Sequence, residues 1–133
     1  MNQKENTKQK RSSNANTATT KKNVGMDRTK NHEKLLKECL LLLSSEGFLV
    51  WKNNVGVVKT ENRYQTYGLK GSPDILGCTP YGKFCGFEIK TGKAVQNKHQ
   101  KAFEKAAKKN NGIYVVIRSL EDLKKWLASY LLT

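Results

Sequence analysis

The segment that most limits how this chain can fold is the run Ile75-Leu76-Gly77-Cys78, the turn residues Thr79-Pro80-Tyr81-Gly82-Lys83, and the run Phe84-Cys85-Gly86-Phe87-Glu88-Ile89. Two short apolar runs separated by a Pro/Gly-containing turn read as a β-hairpin. With the turn centred on Tyr81, Asp74 falls opposite Glu88, so two carboxylates share one face. Side chains alternate along a strand, which sends Glu88 and Lys90 to one side and Cys85, Phe87 and Ile89 to the other. Directly opposed carboxylates repel unless positive charge lies between them. A hard divalent cation meets that need, because such ions take one or two carboxylates and leave other positions to water and phosphate. The spacing also admits a plain surface hairpin with scattered charges, and a one-residue slip of register would separate the acids.

A chain of 133 residues with 37% hydrophobic content allows one modest domain with one small core. Its 25 basic and 11 acidic residues give a net charge of +14, which implies an anionic partner and ranks nucleic acid ahead of a membrane surface. No apolar run is long enough to span a bilayer and the first residues are polar rather than a signal peptide, so the chain is expected to be soluble and cytoplasmic. Cys39, Cys78 and Cys85 lack CxxC spacing and a zinc-type histidine pattern, which predicts reduced thiols.

Residues 1–30 are rich in Asn, Gln, Thr, Ser and Lys and carry net +6, leaving +8 on the remainder. With almost nothing apolar to offset ordering entropy, this stretch is expected to be a disordered basic tail, either a phosphate-binding arm or a solubilising extension. The domain is expected at 31–133. A helix is predicted over Asn31–Ser45, from Leu35, Leu36, Cys39, Leu40, Leu42 and Leu43 at helical spacing, with Thr29 as a possible cap and Gly47 as the stop. Glu33 falls on its inward stripe, whereas His32 is expected to be exposed. Phe48–Lys52 and Val55–Lys59 read as two strands around Asn53-Asn54, with Trp51 in the core. Thr60–Lys70, with Arg63, Tyr64, Tyr67 and Lys70, reads as a basic, aromatic loop able to track a phosphate backbone.

After Lys90, a helix is predicted over Asn97–Asn110, with Gln100 on its core-facing stripe, where a buried amide needs partners. Ile113–Ile117 reads as a buried strand parallel to the Glu88 strand. Arg118 leaves its end as a phosphate candidate. Ser119 and Asp122 suit a cap for a last helix whose Leu120, Leu123, Trp126, Leu127 and Leu131 face inward.

The ordered series Pro73-Asp74 followed by Glu88-x-Lys90 resembles the PD-(D/E)xK nuclease signature. More narrowly, Gly71-Ser72-Pro73-Asp74, Glu88-Ile89-Lys90-Thr91-Gly92-Lys93-Ala94, Gln100 and Tyr114–Ser119 resemble the virus-type replication-repair nuclease (VRR-NUC) family, over roughly residues 31–119. That resemblance implies an α/β, restriction-endonuclease-like core, a mixed central sheet flanked by helices. It also implies a Mg²⁺- or Mn²⁺-dependent DNA endonuclease, homodimeric and directed at branched DNA such as four-way junctions in phage-type replication, recombination or repair. Under it, Asp74, Glu88 and the Ile89 carbonyl would bind the metal, Glu33 would hold metal-bound water, and Lys90 and Gln100 would complete the catalytic set. Asn53, Asn54, Arg63, Lys70, Ser72, Lys93 and Arg118 would contact DNA. A nicking or flap nuclease and a catalytically idle DNA-binding protein are the competing readings.

Overall fold

The structure is a computed structural model that describes residues 23–132. Its elements run α1 (Asn23–Ser45), β1 (Leu49–Lys52), β2 (Gly56–Thr60), β3 (Arg63–Tyr67), β4 (Ile75–Cys78), β5 (Phe84–Ile89), α2 (Lys98–Lys109), β6 (Ile113–Ile117) and α3 (Leu120–Leu131). The compact unit that carries the sheet begins at His32. The class expected from the sequence is the one found: a mixed four-stranded sheet, ordered β1-β4-β5-β6, with helices against it. β1 and β5 both run antiparallel to β4, and β5 and β6 are parallel.

The hairpin register anticipated from the turn is present, with Ile75 paired to Phe87 and Gly77 to Cys85. Thr79 closes the turn: its N–H donates to the Lys83 carbonyl at 2.8 Å, and its carbonyl accepts from Gly82 N at 2.9 Å. Gly82 takes φ of +81° there, a conformation that a Cβ would strain. Because Thr79 and Lys83 are a hydrogen-bonded pair, every second pair down the hairpin shares that phase, a point that matters at its open end.

Cys85, Phe87 and Ile89 face the main core, where they meet Leu35, Leu36, Cys39 and Leu43 of α1, Phe48, Ile75, Ile117, and Leu123 and Leu127 of α3. The Trp126 ring lies edge-on to Phe87 with centroids 5.4 Å apart and stacks on Tyr130 at 4.9 Å. Such pairs add about 0.5–1.5 kcal/mol to area burial. The α2 helix adds a second aromatic contact through Phe103, which meets Phe84 and Tyr114, each at 6.2 Å. All three cysteines are free, as expected.

Five local expectations are corrected. β1 and β2 do not pair with each other; β1 pairs with β4, while β2 pairs with β3 in a separate two-stranded ribbon. β3 occupies part of the segment read as a loop, and because every one of its residues is exposed it shows no apolar alternation. Trp51, expected in the core, is 53% exposed because it sits on the edge strand, and Leu131, the last residue of α3, is 51% exposed. Helix α1 begins at Asn23 rather than Asn31, so Thr29 lies within it; residues 1–22 of the expected tail lie outside the described residues.

Candidate active site

At the open end of the β4–β5 hairpin, the register carried past Ile75–Phe87 sets Asp74 opposite Glu88 and Pro73 opposite Ile89. Ile89 and Pro73 fall in the hydrogen-bonded phase, where an ordinary residue at 73 would donate its N–H to the Ile89 carbonyl. Proline has no N–H to give. The Ile89 carbonyl is thereby left without a main-chain donor, and with the Pro73 carbonyl taken by Asn53 Nδ2 the Ile89 N–H also meets a side chain. That N–H donates to Asp74 Oδ2 at 2.8 Å, and the Ile89 carbonyl accepts from His32 Nε2 at 3.1 Å. His32 Nε2 also lies 3.5 Å from Asp74 Oδ2. Gly86 makes room for this arrangement, since a Cβ there would come within 2.6 Å of the Pro73 ring.

Glu88 projects to the opposite face from Phe87 and Ile89 and is only 3% exposed. Its Oε1 accepts from Gln100 Nε2 at 3.1 Å and lies 3.8 Å from Lys90 Nζ. Its Oε2 is buried with no hydrogen-bond partner. Burial pushes the Glu88 carboxyl up from its ordinary 4.5 to about 8, the charge of Asp74 adds to the rise, and the Lys90 ammonium opposes it. A buried, unpaired carboxylate oxygen beside a second carboxylate is an arrangement that folding alone disfavours.

Gln100 is fixed by the start of α2. Asn97 is the N-cap; its side chain accepts from Gln100 N at 2.9 Å, and Gln100 Oε1 accepts in return from Asn97 N at 3.0 Å. This reciprocal capping box leaves the Gln100 amide NH₂ aimed at Glu88. Asp74 is held from the other side. Asn53 N donates to the Asp74 carbonyl at 2.8 Å, and Asn53 Nδ2 reaches Ser72 Oγ at 2.6 Å and the Pro73 carbonyl at 2.9 Å.

These groups border a cleft of about 400 Å³ lined by Glu33, Lys52, Asn53, Asn54, Lys70, Ser72, Asp74, Glu88, His99 and Gln100, among others. Eight residues singled out from sequence thus meet at one place: Glu33, Asn53, Asn54, Lys70, Ser72, Asp74, Glu88 and Gln100. Lys90 adjoins it through Glu88. Arg63, on β3, Lys93 and Arg118 are not on its lining; Arg118 Nη1 instead donates to the Gly92 carbonyl at 3.4 Å. The Asn53 amide is spent on the loop before Asp74. Glu33 meets Lys52 Nζ at 3.2 Å, a half-exposed pair worth at most about 1 kcal/mol.

Sequence reasoning missed three residues here. The sequence places Lys52 only at the end of a strand and His99 only within a helix. His32 was expected on the surface and instead touches both Asp74 and Ile89.

A solved structure described as a VRR_NUC domain superposes on this chain with a TM-score of 0.56 and 22% identity, over 74% of this chain and 96% of that one. This chain has the VRR_NUC-domain fold. No protein-family model matches it, and no curated protein matches it. The superposition takes in nearly all of the VRR_NUC-domain chain. The donor set can be tested for a divalent ion on this chain alone. Among the described residues, no three His, Cys, Asp or Glu side chains are gathered as a metal cluster. The set that fits a hard ion is mixed, two carboxylates and the Ile89 main-chain oxygen, and the orphaned Glu88 Oε2 is the oxygen such an ion would satisfy.

Proposed function

We propose that this protein is a metal-dependent DNA endonuclease, with Asp74, Glu88 and the Ile89 carbonyl holding Mg²⁺ or Mn²⁺. The observation that carries the reading is Glu88: a carboxylate oxygen buried without a partner, opposite Asp74 and beside Lys90, at a break in the sheet's bonding. The VRR_NUC fold supports it, as does a net charge of +14 suited to a polyanion.

The bound ion would supply Lewis acidity and a lowered pKa for water at neutral pH. The chain's own residues do the rest. Gln100, locked by its cap, donates to Glu88 Oε1 and fixes the carboxylate's direction. The Ile89 N–H does the same for Asp74. Lys90, whose side chain is mostly buried, holds an ammonium beside Glu88; a fixed positive charge of this kind stabilises negative charge gathering on phosphate oxygens and orients an attacking water. Lys52 and Lys70 on the cleft wall would meet DNA phosphates, with Asn54 and Ser72. Glu33, held by Lys52, would reach the metal through water.

Structure-selective cutting of branched DNA by a homodimer is the finer form of this reading. One compact domain supplies one such site, and a symmetric junction needs two. The test is a metal-dependent cleavage assay on linear, flap and four-way substrates, with Asp74→Ala as control. Wild-type rates from the Asp74→Ala protein, or activity that survives EDTA, would overturn the assignment. Equal cutting of all three substrates would remove the structure selectivity and leave the nuclease.

A further inference from the structure

The two atoms that His32 Nε2 approaches are the Ile89 carbonyl oxygen, at 3.1 Å, and Asp74 Oδ2, at 3.5 Å. Both belong to the donor set proposed for the divalent ion. Adjacent ligands on an octahedral ion with bonds of about 2.0–2.1 Å lie about 3 Å apart; the 3.1 Å separation is close to such an edge, and the 3.5 Å separation is longer and would have to shorten on binding. An imidazole beside two such oxygens can share an ion with them once the side chains draw together; among the described residues, as they stand, His32, Asp74 and Glu88 do not yet form a three-member cluster.

The position is built rather than incidental. His32 is half-buried, and three and four residues along the same helix Leu35 and Leu36 are anchored in the core, which fixes the helix position from which the ring reaches the hairpin end. The Ile89 carbonyl is open to it because Pro73 offers no N–H. Glu33, the neighbouring residue, leads roughly 100° further round the helix and is occupied by Lys52, which leaves His32 as the α1 side chain directed at the Asp74–Ile89 pair.

We infer that His32 is a ligand of the bound ion through Nε2, making the centre a mixed nitrogen and oxygen site that selects Mn²⁺ and later first-row ions over Mg²⁺. This rests on the metal reading of the cleft. In the ligating form the neutral ring carries its single proton on Nδ1 and turns the Nε2 lone pair to the ion. Oxygen-only sites suit Mg²⁺ and Ca²⁺, whereas imidazole moves preference toward transition ions.

The experiment uses Mn²⁺ itself, which is paramagnetic. Pulsed EPR of the full-length protein with one equivalent of Mn²⁺ is expected to show hyperfine coupling to an imidazole ¹⁴N. His32→Gln and His32→Ala should both lose it while keeping the wild-type circular dichroism spectrum. His99→Gln should keep it, which separates the only two histidines in the chain. By calorimetry, His32→Gln should weaken Mn²⁺ binding about 10- to 100-fold and Mg²⁺ binding much less. Mn²⁺ bound at Asp74 with no ¹⁴N coupling, or with a coupling that survives in His32→Gln, overturns the role of His32 and leaves the nuclease reading standing. Absence of any Mn²⁺ binding that Asp74→Ala removes overturns the metal reading itself, and this inference with it.

Discussion

Replacing Glu88 by Gln should make the protein more stable as it disables the site, and the gain should depend on pH in a calculable way. The glutamine's carbonyl oxygen can still accept from Gln100 Nε2, and its NH₂ group, in place of the unpartnered Oε2, can donate to the Asp74 carboxylate beside it. The folded-state pKa of Glu88 is raised, from 4.5 to about 8. The folded protein therefore keeps a proton that the unfolded chain releases, and the associated stability is complete below about pH 4.5, declines between pH 4.5 and 8, and falls no further above that. At about 1.4 kcal/mol per pKa unit, the ceiling is about 5 kcal/mol. Between pH 5 and pH 9, the advantage of Glu88→Gln over wild type should widen by about 4 kcal/mol. Urea denaturation at pH 5, 7 and 9 in EDTA reads this directly. Adding Mg²⁺ or Mn²⁺ at pH 9 should narrow the gap, since an ion present at 100 times its Kd stabilises the wild type by about 2.7 kcal/mol and has lost a ligand in the variant. A gap that stays constant with pH, or a variant less stable than wild type at pH 9, would refute the view that Glu88 is kept at the expense of the fold.

The remaining expectations concern neighbours of that residue. Lys90→Ala should lower the cleavage rate at least about 100-fold while leaving DNA binding, measured by gel shift, within a few-fold, because the basic surface is unchanged. Gly86→Ala forces a Cβ to within 2.6 Å of the Pro73 ring; thermal denaturation should show a loss of about 1–3 kcal/mol, with weaker metal binding by calorimetry because Asp74 follows Pro73. Phe87→Ala empties the centre of the aromatic cluster and should destabilise by about 3–5 kcal/mol in urea, with no direct effect on the site chemistry at temperatures where it stays folded.

Much of this geometry was readable from the amino-acid order because a tight turn between alternating runs has few registers. Pro80 and Gly82 fix the turn, and once it is fixed Asp74 must meet Glu88. Gln100 was legible as a polar residue on the inward face of a helix, but its capping box with Asn97 and its bond to Glu88 emerge only from the structure. β3 was illegible for a physical reason: a strand exposed on both faces has no burial pattern to impress on its sequence. The misread β1–β2 pairing follows from it, since β2 had no visible partner except β1. His32 was hidden because periodicity ranks helix positions by their distance from the apolar stripe, and a residue at the edge of that stripe can point to solvent or across to a strand end. Only the truncation of β4 at Ile75 decides which.

One substitution would repair what the chain leaves broken. Pro73→Ala restores an N–H opposite Ile89, and an added hydrogen bond there contributes about 1 kcal/mol. The same bond would occupy the oxygen offered to the ion. On the proposed reading, selection for a sturdier molecule would favour that change at the expense of the metal site, so the imino acid at 73 works by what it withholds.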